Sequence, residues 1–281
     1  MDVTNEITKE IFEQYVPAAK MPERNTSVFN RMVPYFSLSY QYLQDRLFTG
    51  MPALMDAEEL KGGILQFVCI HAFFRAIPSL DLVLTGTGFG IVSTNDTAPA
   101  SQTRVKALRD EMEWQSLMSI SALLAMLVKT DKWGNSTAGE KAIKYLYYDP
   151  YQMSECGPID NSLPMAENWR RVCLYRGTAE MMVRREISAE YYDALLGRLR
   201  TAQMTNADIG IYHSALDYIA RSIGDMEAGK PCMVPAQWEL RDYMERYADM
   251  LPEYKQSKLY ASIHGERYEN KPEDPTFFFV N

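Results

Sequence analysis

Apolar residues recur every three or four positions through most of the chain, which is the spacing of an amphipathic helix. The stripes fall at about 29–47, 60–74, 169–182, 192–199, 209–223 and 240–251. A longer helix is predicted from Ser101, as its N-cap, to about Thr130. The pattern therefore predicts a mainly α fold, a multi-helix bundle-like architecture of roughly seven to nine helices.

One segment departs from this pattern, at about residues 80–94. β-forming residues alternate there around Gly86, Gly88 and Gly90, with Phe89 and Ile91 after the turn, which predicts a small β-hairpin. A dinucleotide-binding G-x-G-x-x-G loop would open directly into a helix. Strand-forming residues follow these glycines instead, so the pattern favours a structural hairpin over a phosphate-binding loop.

Residues 149–164 lack periodicity and contain three prolines and a glycine, as interdomain linkers often do. This segment predicts an N-terminal helical unit with the hairpin over 1–150 and a C-terminal helical unit over 151–281. A weak similarity between the two halves suggests an internal duplication, and one continuous domain stays open as an alternative. The β-prone run Thr276–Val280 predicts a short C-terminal strand.

The composition is that of a folded, acidic protein. Of 281 residues, 47% are hydrophobic, and 29 basic against 37 acidic side chains give a net charge of −8. A hydrophobic fraction this high is typical of a protein with a packed core. Because an acidic chain repels phosphate, we do not expect broad nucleic-acid binding.

The chain is expected to remain in the cytoplasm. Its first 13 residues contain four acidic side chains and no apolar run, unlike a secretory signal. The apolar run Ser116–Val128 is 13 residues long, short of the roughly 20 that span a bilayer, so no membrane association is expected. The four cysteines are far apart in the sequence, which fits a reducing compartment.

No motif predicts a catalytic, cofactor or metal site. The three histidines have no histidine or carboxylate partner at the spacing of a metal-binding helix. His71 lies on an apolar helical stripe and is interpreted as a core residue. No nucleophile motif such as G-x-S-x-G is present.

The main charge feature is a set of arginines on one predicted helix: Arg170, Arg171, Arg176, Arg184 and Arg185. Residues 164–200 contain seven basic and five acidic side chains, a local charge of +2 in an acidic protein. Since arginine suits interface ion pairs, this helix is a candidate docking surface for an acidic partner. The alternative is ordinary pairing along the helix with Glu167, Glu180 and Glu190.

The segment Leu82–Arg109 (LVLTGTGFGIVSTNDTAPASQTRVKALR) resembles an uncharacterised family encoded in phages and prophages of Bacteroidales. The resemblance lies in the hairpin, in Asn95 with the Ala98–Ser101 run, and in Arg104-Val105 opening the next helix. The aromatic end, Pro275–Phe279, is also similar. Such proteins are found among head-morphogenesis genes, and the resemblance implies a head–tail connector or other virion structural protein. It supplies no catalytic residues.

Two functions of different classes are therefore expected. The favoured one is a non-enzymatic phage assembly protein that contacts portal or tail-completion proteins and self-associates into a ring in the host cytoplasm. Residues 1–60, with a local charge of −4, and 238–275, with −3, are candidate acidic faces for such contacts. The alternative is a small-molecule-binding protein or enzyme with a pocket between the helical halves, centred on His71 and nearby tyrosines.

Overall fold

Helices make up most of the computed structural model, which confirms the predicted mainly helical fold. The structure describes residues 3–19, 27–80, 82–85, 88–91, 101–130, 132–153, 159–232 and 234–265. Its α-helices are α1 (Lys9–Tyr15), α2 (Ser27–Leu47), α3 (Glu58–Leu80), α4 (Gln102–Leu127), α5 (Thr137–Ala142), α6 (Met165–Glu186), α7 (Ala189–Arg200), α8 (Asn206–Glu227), α9 (Val234–Tyr247), α10 (Pro252–Lys255) and α11 (Lys258–His264). The short helices α1, α5, α10 and α11 have too few turns to show a clear periodicity and were not predicted individually.

Hydroxyl side chains begin several of these helices. The backbone N–H of Arg104 donates to Ser101 Oγ over 3.4 Å, so α4 starts at its predicted cap. Helix α8 begins at Asn206, with Thr205 as its N-cap. Thr205 and Asp208 form a reciprocal capping box, which satisfies two backbone donors that would otherwise lack partners.

Two prolines lie inside helices. Pro34 lies seven residues after the start of α2, and Pro78 lies in the last turn of α3. A proline inside a helix lacks the N–H that would bond to the carbonyl four residues earlier. Ser79 Oγ donates to the carbonyl of Ala76 over 2.8 Å and lies 2.8 Å from Tyr35 Oη, which ties the last turn of α3 to α2.

Helix α3 forms the centre of the N-terminal half, packed between α2 and α4. By length and composition alone it could cross a membrane, since an 18-residue window of α3 has a mean hydropathy of 1.4. However, 56% of that window is buried within the protein, and side chains such as Ile64, Phe67 and Val68 are fully enclosed. These contacts are those of a core helix.

The C-terminal half is arranged around α6 and α8, which pack along each other. Helix α9 packs on α8, α10 packs on α7, and α6 also reaches α4 of the N-terminal half. Buried side chains of both halves belong to one hydrophobic cluster that extends from Ile7 to Tyr254. The predicted division at about residue 150 stays a prediction.

Polar contacts also connect the halves. Arg200 Nε donates to the carbonyl of Ile143 over 2.8 Å. Gly134 lies so close to the carbonyl of Arg200 that a Cβ atom at this position would collide with it. Within the N-terminal half, the fully buried Trp133 donates from Nε1 to the carbonyl of Leu47 over 2.8 Å.

Two four-residue strands, β1 (Leu82–Thr85) and β2 (Gly88–Ile91), pair antiparallel, with Leu82 opposite Ile91 and Thr85 opposite Gly88. Gly86, at the predicted turn, lies outside the described residues. So does the predicted C-terminal strand, Thr276–Val280. These two strands are a minor part of a fold built from helices.

Candidate functional site

Helix α6 carries all five arginines that the sequence singled out. Its inner face buries Trp169, Val172, Ala179 and Val183. Helices α4 and α8 both pack against α6. The arginines leave this helix in several directions, so they do not form one continuous basic surface.

Two of the arginines form ion pairs that connect α6 to neighbouring helices. Arg170 forms ion pairs with Glu113 of α4 and with Glu167 on its own helix, and Arg171 pairs with Glu227 of α8. The pair with Glu167 is one that the alternative interpretation predicted. Exposed pairs of this kind contribute about 0–1 kcal/mol each. Both arginines thus have a structural role.

Arg176 projects between aromatic rings. Its guanidinium lies 4.9 Å from the ring centroid of Tyr145 and 5.5 Å from that of Trp169. One terminal nitrogen donates to the carbonyl of Tyr147 over 3.4 Å, while Nε is buried without a hydrogen-bond partner in the described structure.

The last turn of α6 contains two exposed arginines, Arg184 and Arg185. Arg184 pairs with Asp193 at 2.8 Å and lies over the ring of Tyr192. Arg185 is exposed, and the described part of the chain provides no ion-pair partner for it. Glu190 does not pair with either arginine.

Glu180 is buried rather than paired along the helix surface. It accepts hydrogen bonds from Tyr192 Oη over 2.6 Å and from the backbone N–H of Tyr147 over 2.8 Å. Burial raises the pKa of Glu180, although these hydrogen bonds act in the opposite direction. The charge of Arg176, four residues earlier on α6, also acts to lower the pKa of Glu180, although the two side chains form no ion pair among the described contacts.

A shallow groove lies beside the end of α6. We call it the Met181 groove; its lining residues are Met181, Arg184, Arg185, Ser188, Ala189, Glu190, Lys258 and Leu259. Its volume is about 500 Å³. Three cationic side chains and one carboxylate line it, so its charge is positive even though Arg184 is paired with Asp193, and Met181 and Leu259 supply apolar lining.

The apolar character extends along the outer face of α6. Leu174 is 72% exposed and Met181 is 61% exposed. The two residues are seven positions apart, so they lie on the same side of the helix. Arg170 lies one turn before Leu174 and Arg185 one turn after Met181, so the arginines flank this apolar stripe.

An acidic counterpart lies at the start of α3. Asp56, Glu58 and Glu59 are all exposed, and we call them the acidic α3 start. Glu58 and Glu59 lie in the first turn of α3, where the helix dipole stabilises carboxylates. Both are accessible to a basic partner surface, whereas Asp56 also has an interaction within the chain.

His71 is a core residue. It is 8% exposed, its Nδ1 lies 2.9 Å from Ser39 Oγ, and its ring stacks on Tyr42 and Phe67 with centroid distances of 4.8 and 5.0 Å. Burial lowers the pKa of His71 to about 4, and the charges of Arg75 and Arg46 act in the same direction. The imidazole is thus neutral at pH 7.

A separate cavity of about 230 Å³ lies where α2, α4, α5 and α6 meet, between the two halves. We call it the Arg176 cavity. Arg46, Lys141 and Arg176 line it, together with Tyr148, Trp169 and apolar residues of α4. His71 does not line this cavity. The described residues contain no cluster of three or more His, Cys, Asp or Glu side chains suited to a metal ion.

Comparison with known proteins gives one match. Residues 35–143 match a family of unknown function, DUF6712, a range that includes the segment Leu82–Arg109 but covers less than half of the chain. No curated protein and no solved structure matches the chain.

Sequence reasoning missed two features of this region. In the sequence, Leu174 and Met181 are only two apolar residues seven positions apart among the arginines of α6, and nothing there shows that they face outward. Arg46 and Lys141 meet Arg176 through tertiary packing, and no local pattern links them.

Proposed function

We propose that this chain is a non-enzymatic structural or assembly protein of a phage or prophage. In this role it is an adaptor between portal and tail-completion proteins and acts by protein–protein contacts in the host cytoplasm. The resemblance of Leu82–Arg109 to phage proteins supports the biological setting. The observation that carries the proposal is the Met181 groove with its neighbouring apolar stripe.

The Met181 groove has the composition of a docking surface. Binding energy at interfaces concentrates in a few apolar or aromatic anchors and arginines. Here Leu174 and Met181 are accessible apolar anchors, and Arg184, Arg185 and Lys258 surround Met181 with positive charge. A partner segment that fits would carry carboxylates around an apolar contact.

The occupant we propose is the acidic α3 start of a second copy of the chain. Its exposed carboxylates complement the positive groove in charge. Because the groove and the acidic α3 start are different surfaces, each copy can bind one neighbour at each, and such heterologous contacts form a ring when the rotation between neighbouring copies closes. Exposed ionic contacts are screened by salt, so the purified protein is expected to be monomeric when dilute.

Deletion of the coding sequence from the phage or prophage genome that carries it tests the adaptor role. Electron microscopy of the lysates should show filled heads without attached tails. Supplying the wild-type protein, or the matched control Arg221→Glu, should restore tailed particles, and Arg184→Glu/Arg185→Glu should not. Arg221 is a suitable control since it is 42% exposed and paired with Asp217, much as Arg184 is 44% exposed and paired with Asp193. Tailed particles at normal yield without the gene would contradict the proposal.

A further inference from the structure

The Arg176 cavity brings together three cations from three helices. Arg46 comes from the last turn of α2, Lys141 from the last turn of α5, and Arg176 from the middle of α6. A cation at a helix C-terminus interacts favourably with the helix dipole, and this explains the position of Arg46 in α2 and, separately, that of Lys141 in α5. It does not account for their convergence on one cavity, where like charges repel each other.

None of the ion pairs among the described residues involves Arg46, Lys141 or Arg176, although the charge of Arg176 acts on the buried carboxylate of Glu180, four residues further along α6. Arg46 donates to the neutral hydroxyl of Tyr42 over 2.8 Å, and Arg176 contacts rings and one carbonyl. The cavity lining also contains no acidic side chain. By contrast, Arg170 and Arg171 on the same helix as Arg176 are both ion-paired.

Arg176 also keeps an unused donor. Its Nε is enclosed by protein and has no hydrogen-bond partner in the described structure. A buried donor without a partner costs about 1–3 kcal/mol, so Arg176 is held at this position against a cost. Because Nε is enclosed, an anionic oxygen in the cavity would accept from a terminal nitrogen of Arg176, with a charge-assisted hydrogen bond.

The rest of the lining of the Arg176 cavity is suited to the apolar part of an organic ligand. Leu117, Ile120 and Leu124 of α4 form an apolar side, and the indole of Trp169 lies beside them. Tyr148 adds a hydroxyl, and burial raises the pKa of Tyr148 to about 12, so this hydroxyl remains a donor at pH 7. Ligand sites commonly combine mostly apolar walls with a few convergent polar groups in this way.

We propose that the Arg176 cavity binds a small phosphate monoester with an apolar or aromatic body. The phosphate is held by Arg46, Lys141 and Arg176, and the organic body packs on Trp169 and the apolar side of α4. Three cations match a phosphate dianion better than a carboxylate monoanion. The site is separate from the Met181 groove, so this proposal does not depend on the adaptor role.

Isothermal titration calorimetry with phenyl phosphate tests the site on the full chain. Phenyl phosphate should bind saturably at one site, while inorganic phosphate, benzoate and phenol should each bind at least about tenfold more weakly, because each lacks the dianion or the ring. If phenyl phosphate does not bind saturably, or if inorganic phosphate or benzoate binds as tightly, the proposal is wrong.

A pair of variants assigns the binding to this cavity. Arg46→Gln/Lys141→Gln changes two exposed side chains and should weaken phenyl phosphate binding at least about tenfold, with an unchanged far-UV circular dichroism spectrum. The control is Lys144→Gln, because Lys144 is three residues from Lys141 and contacts the ring of Tyr145 without lining the cavity. Equal affinity in the double variant and the wild type would overturn the assignment.

Discussion

Met181 of α6 and Lys258 of α11 border the same shallow groove, although α7, α8, α9 and α10 separate their helices in the chain. The groove therefore depends on how the C-terminal helices pack, while its charge comes from side chains at its surface. The charge of the groove can be altered without disturbing the core. Experiments can therefore measure an effect on docking separately from an effect on the stability of the fold.

Charge reversal in the Met181 groove should leave the protein folded. Arg185→Glu is expected to change the free energy of unfolding by less than about 0.5 kcal/mol, since Arg185 is exposed and unpaired among the described residues. Arg184→Glu should cost up to about 1 kcal/mol, because it places a carboxylate beside Asp193. Urea titrations measure both values. A loss above about 2 kcal/mol for Arg185→Glu would show that this side chain supports the fold.

His71 should make stability depend on pH. Its pKa is about 4 in the folded protein and near 6.5 when unfolded, so the unfolded state binds more protons between these values. The contribution of neutral His71 is fully present above about pH 6.5 and is lost as the pH falls towards 4. The loss amounts to about 3 kcal/mol at most.

His71→Phe isolates this contribution, because carboxylates titrate in the same range in both proteins. Urea unfolding at several pH values between 4 and 7 should show a smaller decrease for the variant than for the wild type. Parallel curves would mean that the His71 pKa is not lowered in the folded state.

The hydrogen bond between Tyr192 and Glu180 should stabilise the junction of α6 and α7. Tyr192→Phe removes the donor and leaves a buried carboxylate oxygen without it, at an expected cost of about 1–3 kcal/mol. The matched control is Tyr243→Phe, at a half-buried ring that stacks on Tyr247. If both variants lose the same stability in urea unfolding, the buried hydrogen bond has no special role.

The contact between the two halves can be tested with glycine substitutions. Gly134→Ala should destabilise the protein by about 1–3 kcal/mol or more, since the new methyl group meets the carbonyl of Arg200. Gly197→Ala, in α7 with open space around it, should stabilise by about 0.5–1 kcal/mol. Thermal unfolding distinguishes them. A neutral Gly134→Ala would show that residues near 134 do not pack against the end of α7.

Helix placement could be predicted from the sequence because it depends on local periodicity and capping. The core stripe Ile64–Phe67 and the cap at Ser101 are of this kind. The continuation of α2 and α3 through Pro34 and Pro78 could not be predicted from local pattern, since contacts between the helices, such as Tyr35 with Ser79, hold the last turn of α3 against α2.

The candidate site was less predictable because it, too, depends on contacts between helices. The sequence identified the arginines of α6, but their roles depend on partners from other helices, such as Glu113 for Arg170 and Glu227 for Arg171. The local pattern of Glu180 is that of a surface residue, yet Tyr192 and the backbone of Tyr147 enclose it. No single segment contains this information.

Sedimentation equilibrium at low salt, with charge-swapped copies, tests the central claim that the Met181 groove binds the acidic α3 start of a second copy. Wild-type protein should associate at high concentration. Arg185→Glu alone and Glu58→Lys/Glu59→Lys alone should each associate at least about tenfold more weakly, and an equimolar mixture of the two variants should regain association as 1:1 pairs, because the unchanged groove of the second variant meets the unchanged acidic α3 start of the first. If the separate variants associate as the wild type does, or if their mixture stays monomeric, the groove does not bind that surface.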